Sequence, residues 1–285
     1  MKVRIAHQQS KIMNVLSRMI GAFLLILLVA CQTPDAVPTA VPALGNAPAA
    51  TPVPVQATNT PSPTATPETF PYQDASLPID VRVDDLINRM TLDEKIGQMT
   101  LIENGSIRPS GVTELKLGAI LSGGGGSPPE NTPEAWLEMV TEYQQAALDT
   151  RLGIPLLYGV DAVHGHSNVV GATIFPHNIG LGATQNPELL YEIGRATAVE
   201  TLATGIHWDY APVLAVARDI RWGRAYEAYS EDTALVTLLS NAYLLGLQGV
   251  DGTSSDLGHP LTLLGTPKHW VADGGTGWET STTGA

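Results

Sequence analysis

The 285-residue sequence contains a single cysteine, Cys31. One cysteine excludes an intrachain disulfide and a cysteine-based zinc site. Basic residues are also scarce, because 15 lysines and arginines stand against 28 aspartates and glutamates and leave a formal net charge of −13. So acidic a chain repels phosphate backbones. We therefore expect no nucleic-acid partner, whereas a neutral substrate meets no such penalty.

The sequence also lacks a Gly-x-Gly-x-x-Gly fingerprint at a first strand-to-helix turn, where dinucleotide cofactors bind. Its longest glycine run, Gly123–Gly126, continues into Ser127 and two prolines, with neither a Lys-Thr pair nor a helix start for a phosphate. We interpret this run as a flexible loop and expect no cofactor.

The longest apolar run lies near the N-terminus, at Met19–Ala30, and is too short to span a bilayer comfortably as a helix. A basic segment precedes it, and it ends in Leu-Val-Ala followed by Cys31. This pattern resembles the bacterial lipobox, in which the cysteine is lipidated and becomes the first mature residue. We expect residues 1–30 to be a lipoprotein signal peptide that places the protein at the bacterial cell surface or the periplasmic side of a membrane. An uncleaved anchor or an ordinary signal peptide would also export it.

A proline-rich segment separates Cys31 from the rest of the chain. Nine prolines fall within residues 32–69, together with many threonines and alanines, and only Asp35 and Glu68 carry charge there. A segment of this composition has too little apolar surface to form a core. We expect residues 31–69 to be an extended linker that follows the lipidated cysteine.

Beyond Phe70, short apolar runs alternate with segments whose apolar residues recur every three or four positions. The first such segment, 83–102, predicts one amphipathic helix or two short ones, and Thr91 followed by Glu94 is a helix-start signal. Alternating strands and helices predict an α/β fold with a parallel sheet, without deciding between a closed barrel and an open sheet. The predicted strands are 117–121, 155–160, 206–210 and 261–266, and the further predicted helices are 133–150, 187–204 and 232–247.

Polar side chains follow several of these strands. The Asp161 carboxylate can accept hydrogen bonds from two adjacent sugar hydroxyls. Arg224 offers a planar fork for hydroxyls, and Trp208 offers an aromatic face for stacking on sugar C–H groups. Lys268 and His269 place an ammonium group and an imidazole side by side before a glycine-rich turn. These clusters predict a site for a polyhydroxylated ligand.

Some of these residues also have a purely structural interpretation. Asp161 could cap the loop that follows its strand, and Arg218 and Arg221 could form ion pairs that serve only the fold. The acidic residues available to the arginines are Glu227, Glu231 and Asp232.

A metal site is a further alternative, because His164 and His166 have a spacing that binds metals in other proteins. Such a site would need more ligands, for which His269 and Asp273 are available. The ammonium group of Lys268, next to His269, disfavours a second cation. We therefore expect no metal and interpret both histidines as hydrogen-bonded loop residues.

Together the motifs resemble those of glycoside hydrolase family 3, in the branch of the β-glucosidases and exo-β-glucan glucohydrolases. The matching segments are 159–165 (GVDAVHG), 211–213 (APV), 221–224 (RWGR), 229–232 (YSED) and 268–276 (KHWVADGGT). The resemblance implies that residues 70–285 form a (β/α)8 TIM-barrel-type N-terminal domain, incomplete in this chain.

The resemblance also implies an activity and a set of site residues. The activity is that of a retaining, exo-acting β-glucosidase, which hydrolyses terminal non-reducing β-D-glucosyl residues of oligosaccharides or β-glucans. Four side chains would bind hydroxyls of the terminal glucosyl unit, and three others would support them. The four are Asp161, Arg224, Lys268 and His269, and the supporting three are Trp208, Arg221 and His164.

The catalytic carboxylates of the family are not found in this sequence. Its nucleophile is an aspartate in a Ser-Asp-Trp-type motif, which does not occur here, and its acid/base is a glutamate commonly supplied by a second domain. We expect both groups downstream of Ala285 in a longer protein, and we expect the 285-residue fragment to be inactive. Ile220 and Ala215 also depart from residues common in the family, at positions without an expected substrate contact.

Three other functions stay open. The protein could be a β-xylosidase of the same family. It could be a β-N-acetylhexosaminidase, although the Pro-Gly-His-Gly continuation typical of that branch does not follow Lys268 and His269. It could also be a non-catalytic surface lipoprotein that binds glucans.

Overall fold

A computed structural model describes residues 69–123 and 125–275 of the chain. The expected signal peptide, Cys31 and all but the last residue of the expected linker lie outside the described residues. Five parallel strands form one sheet in the order β1-β2-β3-β4-β5. They are β1 (Leu101–Glu103), β2 (Ala119–Ser122), β3 (Leu157–Val160), β4 (Trp208–Asp209) and β5 (Leu264–Gly265).

The strand order agrees with the barrel-type expectation. Each strand lies beside the next strand along the chain, so every crossover moves one position across the sheet in the same direction. In a doubly wound sheet, by contrast, the direction reverses at a switch point. All carboxyl ends consequently lie at one edge of the sheet, where barrel-type enzymes place their sites. The predicted α/β class with a parallel sheet is confirmed.

Seven α-helices accompany the strands within the described residues. None of them is long and apolar enough to cross a membrane. Segment 83–102 proves to hold two short helices and the start of β1, and the three longest helices lie where the sequence pattern predicts them. The helices are α1 (Ile79–Arg89), α2 (Leu92–Gln98), α3 (Pro109–Leu115), α4 (Pro133–Leu148), α5 (Asn178–Thr184), α6 (Pro187–Leu202) and α7 (Thr233–Gln248).

The predicted helix start at Thr91 is confirmed. The Thr91 side chain accepts a hydrogen bond from the Glu94 amide, and the Thr91 amide donates to the Glu94 carboxylate. Arg151 adds two hydrogen bonds to the same carboxylate at 2.6 and 3.0 Å. These bonds from Arg151 lower the pKa of Glu94 to about 2, against the opposing effect of burial. The cap separates α1 from α2 and ties both to the loop after α4.

Two buried apolar clusters hold the sheet against its helices. The first joins β2 and β3 to α3 and α4, and its fully buried members include Ile120, Trp136 and Val160. The second joins α5, α6 and α7 to the residue before β5, Leu263. In the second cluster α6 and α7 approach closely, because Gly194 and Gly246 face each other across the contact. The second cluster supports β4 and β5, whose carboxyl ends carry much of the site.

The α6–α7 contact gives a stability prediction. A Cβ at position 246 would overlap the Tyr191 carbonyl oxygen and approach Gly194. We expect G246A to lower the free energy of unfolding by about 1–3 kcal/mol. In the control G180A, in α5, the nearest atom to the new Cβ is 3.5 Å away, and removing a helical glycine should not destabilise the protein. Urea denaturation measures both, and equal stability of G246A and wild type would contradict the predicted overlap.

Candidate active site

The exits of β3 and β5 carry two of the predicted site residues. Asp161 directly follows β3, and Lys268 lies three residues beyond β5. The chain after β5 stays paired with the chain after β4, since the Lys268 amide donates to the Pro212 carbonyl at 2.9 Å. This pairing directs the Lys268 side chain towards β3. Its Nζ forms an ion pair with the Asp161 carboxylate.

Arg224 is held by a neighbouring carboxylate in a short 3-10 turn, Ala225–Glu227. Its Nε and Nη2 donate to the two oxygens of Glu227 at 2.8 and 2.6 Å. Burial alone would raise the pKa of Glu227, but the hydrogen bonds and charge of Arg224 and the charge of Lys268 produce a net lowering. Glu227 also raises the pKa of Arg224. The guanidinium is thus fixed in place as a cation.

His269 connects Arg224 to a second carboxylate. Arg224 Nη2 lies 3.2 Å from His269 Nε2. A guanidinium has no acceptor, so Nε2 must accept this hydrogen bond, and this assigns the ring proton to Nδ1. His269 Nδ1 lies 2.7 Å from an oxygen of Asp273. The imidazole therefore sits between Arg224 and Asp273.

The four expected sugar-binding residues thus form two contacting pairs, Asp161 with Lys268 and Arg224 with His269. The two pairs are adjacent, because Lys268 and His269 are consecutive. Each of the two cations in them has a carboxylate partner. The arrangement presents both hydrogen-bond donors and acceptors at the carboxyl edge of the sheet, which suits a neutral ligand rich in hydroxyls.

Two of the three expected supporting residues have partners outside these pairs. The Trp208 indole donates to the Thr266 hydroxyl at 2.6 Å and packs 4.6 Å from the Tyr210 ring. Arg221 pairs with Asp219 and keeps 60% of its side chain exposed. That contact agrees with the structural ion-pair interpretation of Arg221.

The histidines of the His-x-His pair have separate partners. His164 Nδ1 lies 2.8 Å from the Phe175 carbonyl oxygen, and its ring packs 4.3 Å from that of His177. His166 is fully buried, lies 3.1 Å from the Thr204 hydroxyl and has a pKa that burial lowers to about 4. In residues 69–123 and 125–275, no group of three or more acidic, histidine or cysteine side chains is arranged to hold a metal ion.

Asp209 is a site-edge residue that the sequence reasoning did not single out. It is the last residue of β4, it is fully buried, and its Oδ1 accepts a hydrogen bond from the Ala162 amide at 2.9 Å. Burial raises the pKa of Asp209 to about 7, although the Ala162 hydrogen bond and the charge of Lys268 act in the opposite direction. The available signal was an aspartate inside an otherwise apolar and aromatic strand sequence.

Comparison with known proteins places the chain in a family. The profile of the Glycosyl hydrolase family 3 N terminal domain matches residues 91–284. The chain belongs to glycosyl hydrolase family 3. All the site residues described above fall within the matched segment.

Similar proteins include a solved structure and two curated relatives. The exo-1,3/1,4-beta-glucanase of a Pseudoalteromonas species is 41% identical with a TM-score of 0.64, over 70% of this chain and 25% of that one. A lysosomal beta glucosidase of Dictyostelium discoideum is 32% identical over 67% of this chain and 26% of its own. A periplasmic beta-glucosidase of Salmonella typhimurium is 35% identical over 60% and 21%. This family 3 chain therefore spans only about a quarter of their length.

The Arg224–Glu227 pair of this family 3 domain predicts a pH-dependent stability. We expect E227Q to lower the free energy of unfolding at neutral pH by about 1–2 kcal/mol, because the half-buried guanidinium loses its counter-charge. A carboxyl whose pKa is lowered by folding stabilises above its ordinary value of 4.5 and loses that effect as pH falls below it. The wild type and E227Q should therefore converge in acid.

Thermal denaturation at a series of pH values tests this expectation. D219N is the matched control, because Asp219 also pairs with an arginine but does so at the surface, where an ion pair contributes little. A difference between wild type and E227Q that persisted unchanged into acid, or an equal effect of D219N, would show that the charge of Glu227 is not what stabilises this turn.

Proposed function

We propose that this chain supplies the substrate-binding half of a retaining, exo-acting β-glucosidase that releases terminal non-reducing β-D-glucosyl residues from oligosaccharides or β-glucans. The observation that carries the proposal is the adjacency of the Asp161–Lys268 and Arg224–His269 pairs at the carboxyl edge of a parallel sheet. The likeness to family members named as beta-glucosidases and an exo-beta-glucanase supports it.

Each side chain in the two pairs has hydrogen-bonding capacity left for a sugar. Asp161 has a second carboxylate oxygen, and Lys268 has two further N–H groups beyond the one directed at Asp161. Arg224 uses Nε and Nη2 for its protein contacts, which leaves Nη1. A hydroxyl can reach His269 Nε2 only as a donor that shares it with Arg224. We assign these groups to the hydroxyls of one terminal glucosyl unit.

The contribution of these residues to hydrolysis is positional. In a retaining mechanism one carboxylate attacks the anomeric carbon and a second carboxyl acts first as acid and then as base. We propose that the nucleophile and the acid/base belong to another part of a longer protein. The hydroxyl contacts made here would strengthen as the sugar flattens towards the oxocarbenium-like transition state, and binding that strengthens in this way raises the rate.

The substitution D161N in the full-length protein tests the assignment. It keeps the shape of the side chain but removes the charge that pairs with Lys268. We expect kcat/KM for an aryl β-glucoside to fall about 100-fold, or about 3 kcal/mol of transition-state stabilisation. D84N, at an exposed position of α1, is the control and should leave activity unchanged.

Other outcomes of the same assay would redirect the proposal. If D161N hydrolyses the aryl β-glucoside as fast as the wild type does, Asp161 does not belong to the site. Turnover of an aryl β-xyloside or N-acetylglucosaminide in place of the glucoside would change the sugar. Saccharide binding without hydrolysis of any of the three would favour a glucan-binding surface protein.

We further propose that the protein is exported and anchored to a bacterial membrane through a lipid on Cys31, with residues 32–69 as a spacer. The lipobox-like sequence and the name of the periplasmic Salmonella relative support this. We expect C31S to lose incorporation of labelled palmitate and to leave the membrane fraction. The control Q32S keeps the cysteine and should stay anchored. Absence of label in the wild type would contradict the anchor.

A further inference from the structure

Asp161 and Ala162, the two residues that follow β3, are held by side chains from three other parts of the fold. Asn168 Nδ2 donates to the Asp161 carbonyl at 3.0 Å. Asp209 accepts from the Ala162 amide at 2.9 Å, and the Tyr243 hydroxyl donates to the Ala162 carbonyl at 3.1 Å. The three side chains come from the loop after β3, from β4 and from α7. They fix the main chain from which the Asp161 carboxylate projects.

Asp209 is the best placed of the three to control the site. It is fully buried, and its own carbonyl accepts from the Thr266 amide at 2.9 Å, two residues before Lys268. One residue thus contacts the exit of β3 through its side chain and the exit of β5 through its main chain. Its second carboxyl oxygen has no hydrogen-bond partner among the described residues.

We propose that Asp209 is a positioning residue: its buried carboxyl sets the Ala162 peptide and thereby holds the Asp161 carboxylate against Lys268. The proposal rests on the function proposed above, because it concerns the same sugar site. Asp209 itself contacts no sugar in this scheme. It acts through Ala162, the residue after Asp161.

The groups around Asp209 define how pH acts on it. Lys268 and Asp161 face it from the exits of β5 and β3, and Tyr210, Tyr229 and Tyr243 face it from β4's exit, the segment before α7 and α7 itself. Burial raises the pKa of each of the three tyrosines, so they stay neutral near pH 7.

Asp209 therefore titrates near neutrality while the tyrosines do not, since burial raises its pKa to about 7. Above that pH the carboxylate is ionised and buried, and no cation contacts it among the residues that the structure describes. A charge buried in this way is costly, and this cost outweighs the hydrogen bond from Ala162 and the charge of Lys268, which both favour the ionised form. Ionisation therefore favours opening of the contact between Asp209 and Ala162, because opening lets water reach the carboxylate. We expect the sugar site to weaken as pH rises through 7.

Calorimetric titration of the full-length protein with D-glucose, the product of the proposed reaction and not itself hydrolysed, tests this expectation. For the wild type we expect the Kd to rise about tenfold between about pH 5.5 and about pH 8.5. D209N keeps the acceptor for Ala162 but cannot ionise, so its Kd should match the wild type at the lower pH and stay constant. Y243F removes the other bond to Ala162 without removing the titration. Its Kd should be higher at both pH values, with the wild-type pH dependence retained.

Hydrogen exchange of the Ala162 amide provides a readout that needs no ligand. D209L removes the acceptor, and we expect exchange at Ala162 to accelerate at least about tenfold while amides of β2 are unchanged. D209N should retain slow exchange. If D-glucose binds at neither pH, the proposed sugar site fails, and exchange still decides whether Asp209 positions Ala162.

Two results would overturn the proposal. One is an unchanged exchange rate at Ala162 in D209L, which would show that the contact does not hold the peptide. The other is a D209N protein whose saccharide binding falls with rising pH as in the wild type, which would assign the titration to another group.

Discussion

The ion pair between Lys268 and Asp161 spans a whole strand. Asp161 follows β3 and Lys268 follows β5, with β4 between them in the sheet. Such a pair can form only where carboxyl ends of parallel strands lie at one edge, which the sequential strand order provides. β4 must then be tied to both neighbours beneath the pair, and the contacts of Asp209 with Ala162 and Thr266 do this. The site and the sheet therefore depend on the same geometry.

Both cations at the site are paired with carboxylates, in a chain whose net charge is −13. Lys268 and Arg224 each contact a carboxylate, and His269 accepts from Arg224 and lies beside Asp273. Paired charges of this kind leave little net field to attract an ion. They still present strong, oriented donors and acceptors, whose hydrogen bonds are stronger than those between neutral groups. That combination favours a neutral polyhydroxylated ligand over a phosphate or a metal.

Sequence periodicity predicted β2 to β5 and the longest helices, and it missed β1, α3 and α5. The strands β2 to β5 and helices α4, α6 and α7 lie within about two residues of the predicted segments, apart from the early part of 261–266, which is not strand. β1 has only three residues and begins inside an amphipathic pattern. Helix α5 contains two glycines in seven residues and gives no clear helical signal. Short elements of this kind are fixed by tertiary packing, which a local pattern does not contain.

The same limit applies to the site, because the sequence shows the type of each residue but not its environment in the fold. Asp161, Arg224, Lys268 and His269 were predicted as site residues because polar groups at strand exits and linked motifs are visible in the sequence. The unusual state of Asp209 was not, because a raised pKa results from burial by residues distant in the chain, such as Tyr243. A carboxyl of this kind is costly to bury as an ion unless it is paired or hydrogen-bonded. For Asp209 the hydrogen-bond partner is the peptide next to Asp161, which ties its burial to the proposed sugar site.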